Sequence, residues 1–428
     1  MTMRPVLLAS LGLLLCASLG CGGSVSSPDA GPLNPDGGPN DDGGTIAAQM
    51  NDVSILFPIP TDGGVTRAGL LAASASGARG TLLPSNLYDA VGHVIGNTFT
   101  PPIAPGSTGE AMYADLAVVA VRIDPCFASL APDPHGTGCA NQLRLIFQEM
   151  VLFNTGIDGP NDSALHVFYS LTRAELESLV RSVIALRQAS SGSAQLGPLQ
   201  PHPDMVKEGL NGAFATGLRA LVLKYAGAQN LVRVTKMSAN DGVFAWTFSG
   251  FDVTTPGAAS ITPMVIPTLL PDAGSSQTFL RNFGPNEGMQ GRFEPETISP
   301  DDLAPLANAD VANTLDAGTR QAAFDALVRV ENPTRFTPNT IDCASCHLAM
   351  PTALYNAGPL FGISEAGNAN AFTADARFVP AGATVPTLDV TGAFNLHAFS
   401  YAGAENPEIS QRTVNETAAI VAYLNTLQ

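Results

Sequence analysis

IDCASCHLAM, residues 341–350, sets Cys343 and Cys346 three positions apart and puts His347 directly behind them. The whole chain of 428 residues has six cysteines and six histidines, so this placement is not a by-product of an abundant residue type. Few chemistries need two thiols at that spacing with an imidazole adjoining. Which of them applies depends on where the chain is delivered and on what the other cysteines do.

The length allows two domains of ordinary size, or one large domain with tails. A hydrophobic fraction of 45% is enough for a substantial core. Thirty-seven acidic against twenty basic residues leave a net charge of −17. That sign argues against nucleic acid, whose phosphates need Lys and Arg to displace counterions. It is compatible with a basic or small-molecule partner. The first residues, MTMRPVLLASLGLLLCASLGCGG, carry Arg4, then an apolar run too short for a comfortable membrane span, then small residues ahead of a cysteine. This is the pattern of an export signal. The segment ASLGC resembles a bacterial lipoprotein signal. The resemblance implies a signal peptide over 1–20, cleavage after Gly20, a lipid on Cys21 and membrane contact through that anchor, at the cell envelope facing periplasm or cell surface. Ser18 departs from it, since the pattern favours Leu there; ordinary cleavage releasing a soluble protein is the alternative. Residues 21–44 are nearly all Gly, Pro, Asp, Asn and Ser, which bury too little apolar surface to offset ordering entropy, and read as a disordered tether.

Residues 45–300 read as one α+β domain of unknown function. DLAVVAVRID (115–124), NQLRLIFQEMVLF (141–153) and ALHVFYSL (164–171) are β-branched or alternating apolar runs bounded by turn residues. TRAELESLVRSVIALRQ (172–188) predicts a helix. Thr172 and Glu175 make a capping box, and Leu176, Leu179, Val180, Val183 and Leu186 make an apolar stripe. A second helix is expected from Met205 to Tyr225 and a hairpin around NDG, with Phe244, Trp246 and Phe248 on one strand face. Cys126 and Cys139 bracket a Pro- and Gly-rich loop, most simply as a disulfide in an oxidising compartment; a metal site using His135 or free thiols are the alternatives.

With those cysteines assigned, three chemistries compete for residues 343–347. A redox Cys-x-x-Cys needs no adjacent His and prefers a strand-to-helix setting. Zinc needs four ligands, and His397 is the one candidate downstream, leaving the site one short. Covalent haem attachment needs this set: two thiols a helical turn apart reach the vinyl groups on one porphyrin edge, and the next imidazole meets the iron. We read the stretch as a haem c site, one per chain.

Downstream residues carry a family resemblance. CASCH is followed by AGPLFG, with Pro359 twelve residues past His347, and the chain ends in TVNETAAIVAYLNTLQ. Residues 317–428 resemble a small class I c-type cytochrome domain, implying a two-domain chain whose residues 301–428 form a small all-α haem domain. The resemblance implies that the Pro359 carbonyl accepts from the haem histidine's second nitrogen, fixing ring and tautomer. It also implies a terminal helix, with Thr413 and Glu416 as capping box and Ile420, Tyr423, Leu424 and Leu427 buried, crossing the helix TRQAAFDALVRV (319–330). The family's sixth ligand, a methionine, has no counterpart after Met350. His397, fifty residues past His347, is the favoured substitute, with Met264, Met289 or a vacant position as alternatives.

His93, His135, His166 and His202 show no catalytic pattern, and His166 within DSALHVFYSL reads as a structural strand residue. The expected function is electron transfer at the cell envelope with a redox partner protein of unknown identity. The alternative is a haem-dependent oxidoreductase, or a ligand-binding or sensor lipoprotein whose α+β domain carries the substrate or partner site.

Overall fold

The computed structural model describes residues 46–59, 69–95, 113–126, 140–152, 158–190, 198–240, 245–254, 261–263, 276–280, 303–307, 309–336, 341, 343–374, 396–402 and 406–427. The expected signal peptide and tether, with Cys21, and also Cys139, Phe244, Met264 and Met289, lie outside them.

The first half runs α1 (Met50–Val53), β1 (Ser54–Leu56), a short hairpin β2 (Ser76–Gly77) and β3 (Gly80–Thr81), α2 (Ser85–Ile95), β4 (Leu116–Asp124), β5 (Asn141–Leu152) and β6 (Asp158–Leu171). Then come α3 (Arg173–Ser190), α4 (Pro203–Glu208), α5 (Ala213–Tyr225), β7 (Leu231–Asn240), β8 (Ala245–Val253), β9 (Ile261–Pro263) and β10 (Ser276–Leu280). The C-terminal part holds α6 (Ala304–Ala307), α7 (Ala309–Thr314), α8 (Ala317–Val330), α9 (Cys343–Thr352), a π-helical turn (Ala353–Ala357), α10 (Gly358–Phe361), β11 (Phe399–Ala402), β12 (Asn406–Ile409) and α11 (Gln411–Leu424).

Local sequence signals account for much of this. The Thr172 box forms: Thr172 N–H donates to Glu175 Oε2 at 2.8 Å, and Glu175 N–H donates to Thr172 Oγ1 at 3.2 Å. Leu176, Leu179, Val180 and Val183 are buried, as the stripe requires. The single helix expected from Met205 to Tyr225 is instead two, because Gly209 takes a φ of 76° that ends α4. Gly217 of α5 has a different task. A Cβ there would lie 2.3 Å from Leu186 Cδ2, so glycine leaves room for the Leu186 side chain of α3 against α5.

The strands form one antiparallel sheet in the order β1-β4-β5-β6-β7-β8-β10, with β9 also on β8. Directly opposed residues share a face. One rung is Ile55–Val121–Leu145–Val167–Val234–Phe251, apolar throughout, and α3 covers that side. The other side is unlike it. Its rungs read Ser54–Arg122–Arg144–Phe168–Arg233–Asp252, then Leu56–Ala120–Ile146–His166–Thr235–Gly250. A third contains Gln148–Ala164–Met237–Phe248. Arg122, Arg144, Gln148 and Arg233 are all buried, so something must cover and satisfy them.

The C-terminal segment does so. β11 lies on β4 and β6, α9 packs on β8 and β10, and α11 packs on α1 and α9. The two-domain division at residue 301 is therefore corrected: residues 40–428 form one compact unit, with a single hydrophobic core running through both parts. The C-terminal part is not all-α either, since β11 and β12 form a hairpin. The expected capping box of the last helix is also corrected. Ser410 is the N-cap, accepting from Thr413 N–H at 3.2 Å, and Glu416 is buried against Arg122 at 2.9 Å. α11 meets the end of α8 through Arg412 Nη1 donating to the Val330 carbonyl at 2.9 Å and Asn415 Nδ2 donating to the Glu331 carbonyl at 3.0 Å.

Burial alone would raise the Glu416 carboxyl, but Arg122, Arg412 and Arg144 outweigh it and hold it down at about 2. A depressed carboxylate stabilises the fold fully above its unfolded value of 4.5, and that contribution disappears as pH falls through 2. The shift corresponds to about 3 kcal/mol. Denaturant titrations should therefore find the stability advantage of the parent chain over Glu416→Gln shrinking by about that amount between pH 6 and pH 2.

Candidate functional site

α9 places Cys343 and Cys346 one turn apart, both half-buried and in the thiol state. Cys346 lies near enough to Arg122 to act on its charge, which ties the motif to the polar face of the sheet. His347 points at the same face. Its ring centroid is 5.0 Å from that of Phe248 on β8 and 6.5 Å from that of His166 on β6.

His347 Nδ1 hydrogen-bonds the carbonyl oxygen of Leu396. A carbonyl only accepts, so Nδ1 carries the proton and Nε2 presents its lone pair. Burial pushes the imidazole down to about 4 against the pull of the Leu396 bond, with His397 adding to the depression. The ring is neutral at physiological pH, the form that binds metals. Burial, then Arg144, His347, Arg122 and His397, likewise hold His166 well below its ordinary value.

The Leu396 carbonyl is set by its own chain segment. Gln148 clamps β11 from both sides: its Nε2 donates to the Tyr401 carbonyl and its Oε1 accepts from Tyr401 N–H, each at 2.9 Å. Tyr401 Oη donates to the Phe57 carbonyl at 2.6 Å. The Ala398 carbonyl accepts from Ser410 N–H at 2.8 Å and from Thr413 Oγ1 at 2.9 Å. Residues 396–401 are thus fixed to β5 and to the start of α11 before His347 meets them.

One expectation changes here. Pro359 stands exposed on α10, and Leu396 takes the acceptor role assigned to it, because β11 and not the turn after α9 runs beside the imidazole. His397 is buried with Nδ1 2.6 Å from Ser400 Oγ. It lies near enough to His347 and His166 to act on the charge of both. Met350 stays on the α9 side, its sulfur accepting from Gln411 N–H at 3.0 Å. Cys126 is disulfide-bonded, and Cys139, its expected partner, is outside the described residues. The sequence reading gave no role to Gln148, Arg122 or Arg144, and it took His166 as a structural strand residue and Phe248 as part of a strand face; the structure sets both of these rings beside His347. The available signal was polar side chains recurring every second position inside otherwise apolar strands.

Arg122 Nη2 lies 2.9 Å from Glu416 and 3.8 Å from Asp124, Arg144 Nη2 2.8 Å from Asp124, and Arg412 Nη2 3.6 Å from Glu416. Among the described residues, three buried guanidinium groups share these two carboxylates beside the motif. Among the described residues no group of three or more His, Cys, Asp or Glu could hold a metal ion, so the zinc reading has no ligand set there. The donor set, two thiols, a neutral imidazole with Nε2 presented and a cluster of buried guanidinium groups, fits haem with its anionic propionates. No helix among the described residues is long and apolar enough to cross a membrane. No family model, curated protein or solved structure matches the chain.

Replacing Gln148 with Leu removes both clamp bonds and leaves the Tyr401 main chain unsatisfied. The expected loss is about 2–6 kcal/mol in denaturant unfolding, from about 1–3 kcal/mol for each of the two orphaned groups.

Proposed function

We propose that this chain is an electron-transfer protein of the bacterial cell envelope, held to a membrane through a lipid on Cys21, carrying one haem c and serving a redox partner protein. The observation that carries the reading is the hydrogen bond from His347 Nδ1 to the Leu396 carbonyl, directly behind two thiols on one helical turn. Such a bond to the second nitrogen is what orients an imidazole and makes it a stronger ligand. Cys343 and Cys346 would each add S–H across a vinyl double bond, forming a C–S bond and passing the proton to the neighbouring carbon, with no oxidant needed. His347 would ligate through Nε2. When bound, haem c supplies a one-electron couple whose potential follows its axial ligands and burial. The buried clamp of Gln148 and Tyr401 keeps the histidine from turning, and Phe248 packs on its ring.

Produced in a host with the haem-attachment machinery, the full chain should retain haem after denaturation and acid extraction. The double substitution Cys343→Ala and Cys346→Ala should abolish that retention. Haem that leaves the denatured parent chain sinks the reading.

A further inference from the structure

An iron bound by His347 has a second axial position on the far side of the porphyrin. The sheet offers a group for it. His166 occupies the centre of β6, in the rung Ala120–Ile146–His166–Thr235–Gly250, on the face that the C-terminal segment covers. Its ring centroid is 6.5 Å from that of His347, and the planes are inclined at 54°. Two imidazoles gripping one metal from opposite sides, each through a bond of about 2 Å, have centroids roughly 6 Å apart.

Spacing alone would also suit two packed rings, whose centroids fall roughly 4.5–7 Å apart. Packing separates the two cases. Both histidines lie within the body of the protein, yet both are half-buried rather than closed in, unlike their neighbours Val167, Ile146 and Leu348 at 0% exposure. Each residue therefore retains accessible surface that those neighbours lack. The rung beside His166 also ends in Thr235 and Gly250, a small residue and one with no side chain, which keeps the sheet low next to it. On the adjoining rung of the same face stand Arg122 and Arg144, part of the buried guanidinium cluster. Guanidinium groups there suit an anionic cofactor edge lying over this part of the sheet.

We propose that His166 is the second axial ligand, so that β6 and α9 hold one iron from opposite sides; this rests on the haem reading above. Both axial positions then belong to side chains, no coordination site is left for a substrate or gas, and the centre carries electrons rather than turning over a small molecule. The N-terminal sheet becomes part of the haem site, which explains why no separate haem domain stands apart from it.

The test uses the full chain matured with haem. The parent protein should be low-spin in both oxidation states and, when reduced, should not bind carbon monoxide. His166→Ala should keep its covalent haem but lose the low-spin spectrum and gain carbon monoxide binding, and added imidazole should restore the low-spin form. His166→Met should stay low-spin with a raised reduction potential, because a thioether favours ferrous iron; it carries the test if the alanine variant fails to fold. An unchanged low-spin spectrum in His166→Ala, or an unchanged potential in His166→Met, with haem still attached, overturns the assignment. So does loss of the low-spin form in His397→Ala while His166→Ala keeps it. A parent chain without covalent haem defeats the haem reading itself, and haem staining of the denatured parent tells that failure from the others.

Discussion

The buried pairing of Arg122 with Glu416 is the constraint from which the rest of the arrangement follows. Arg122 sits in the middle of a sheet strand and is 3% exposed; Glu416 sits on the last helix and is equally buried. Neither charge can stay in a dry interior alone, since removing one partner of such a pair costs about 3–5 kcal/mol. The sheet cannot complete its polar face without α11, and α11 cannot bury Glu416 without the sheet. Asp124, Arg144 and Arg412 extend the same dependence to β5 and to the carbonyls at the end of α8.

With α11 seated, the segment before it has little freedom. Ser410 and Thr413 grip the Ala398 carbonyl, Gln148 grips Tyr401, and Leu396 arrives beside His347 as a result. The imidazole's tautomer is therefore decided by a residue 49 positions away in sequence. A motif helix by itself would leave that ring free to turn about χ1 and χ2. Preorganisation of this kind belongs to the sheet as much as to the motif.

Sequence patterns and contacts made at a distance divided the problem unevenly. The box at Thr172 and Glu175 and the stripe behind it were readable because both partners lie within one turn. The break at Gly209 was missed, because three glycines lie in that stretch and only the folded backbone shows which of them takes a positive φ. The same pattern-reading failed at Thr413 and Glu416, where the residues fit a capping box and yet Glu416 is engaged 294 positions away with Arg122. That His166 stands beside His347 could not be read from its apolar strand neighbours, because no local period reports what lies above a sheet.

The amino-acid sequence alone determined the spacing of Cys343, Cys346 and His347, the acidic charge, and the strands and helices with strong periodicity. All of these are set by covalent spacing or by interactions within a few residues. Tertiary structure alone decided that the C-terminal part docks on the polar face of the sheet, that Leu396 and not Pro359 holds His347, and that His166 faces it. Those outcomes depend on burying charges and amides whose partners lie hundreds of residues apart, and the folded chain brings them together at the cost of loop-closure entropy that no local pattern records.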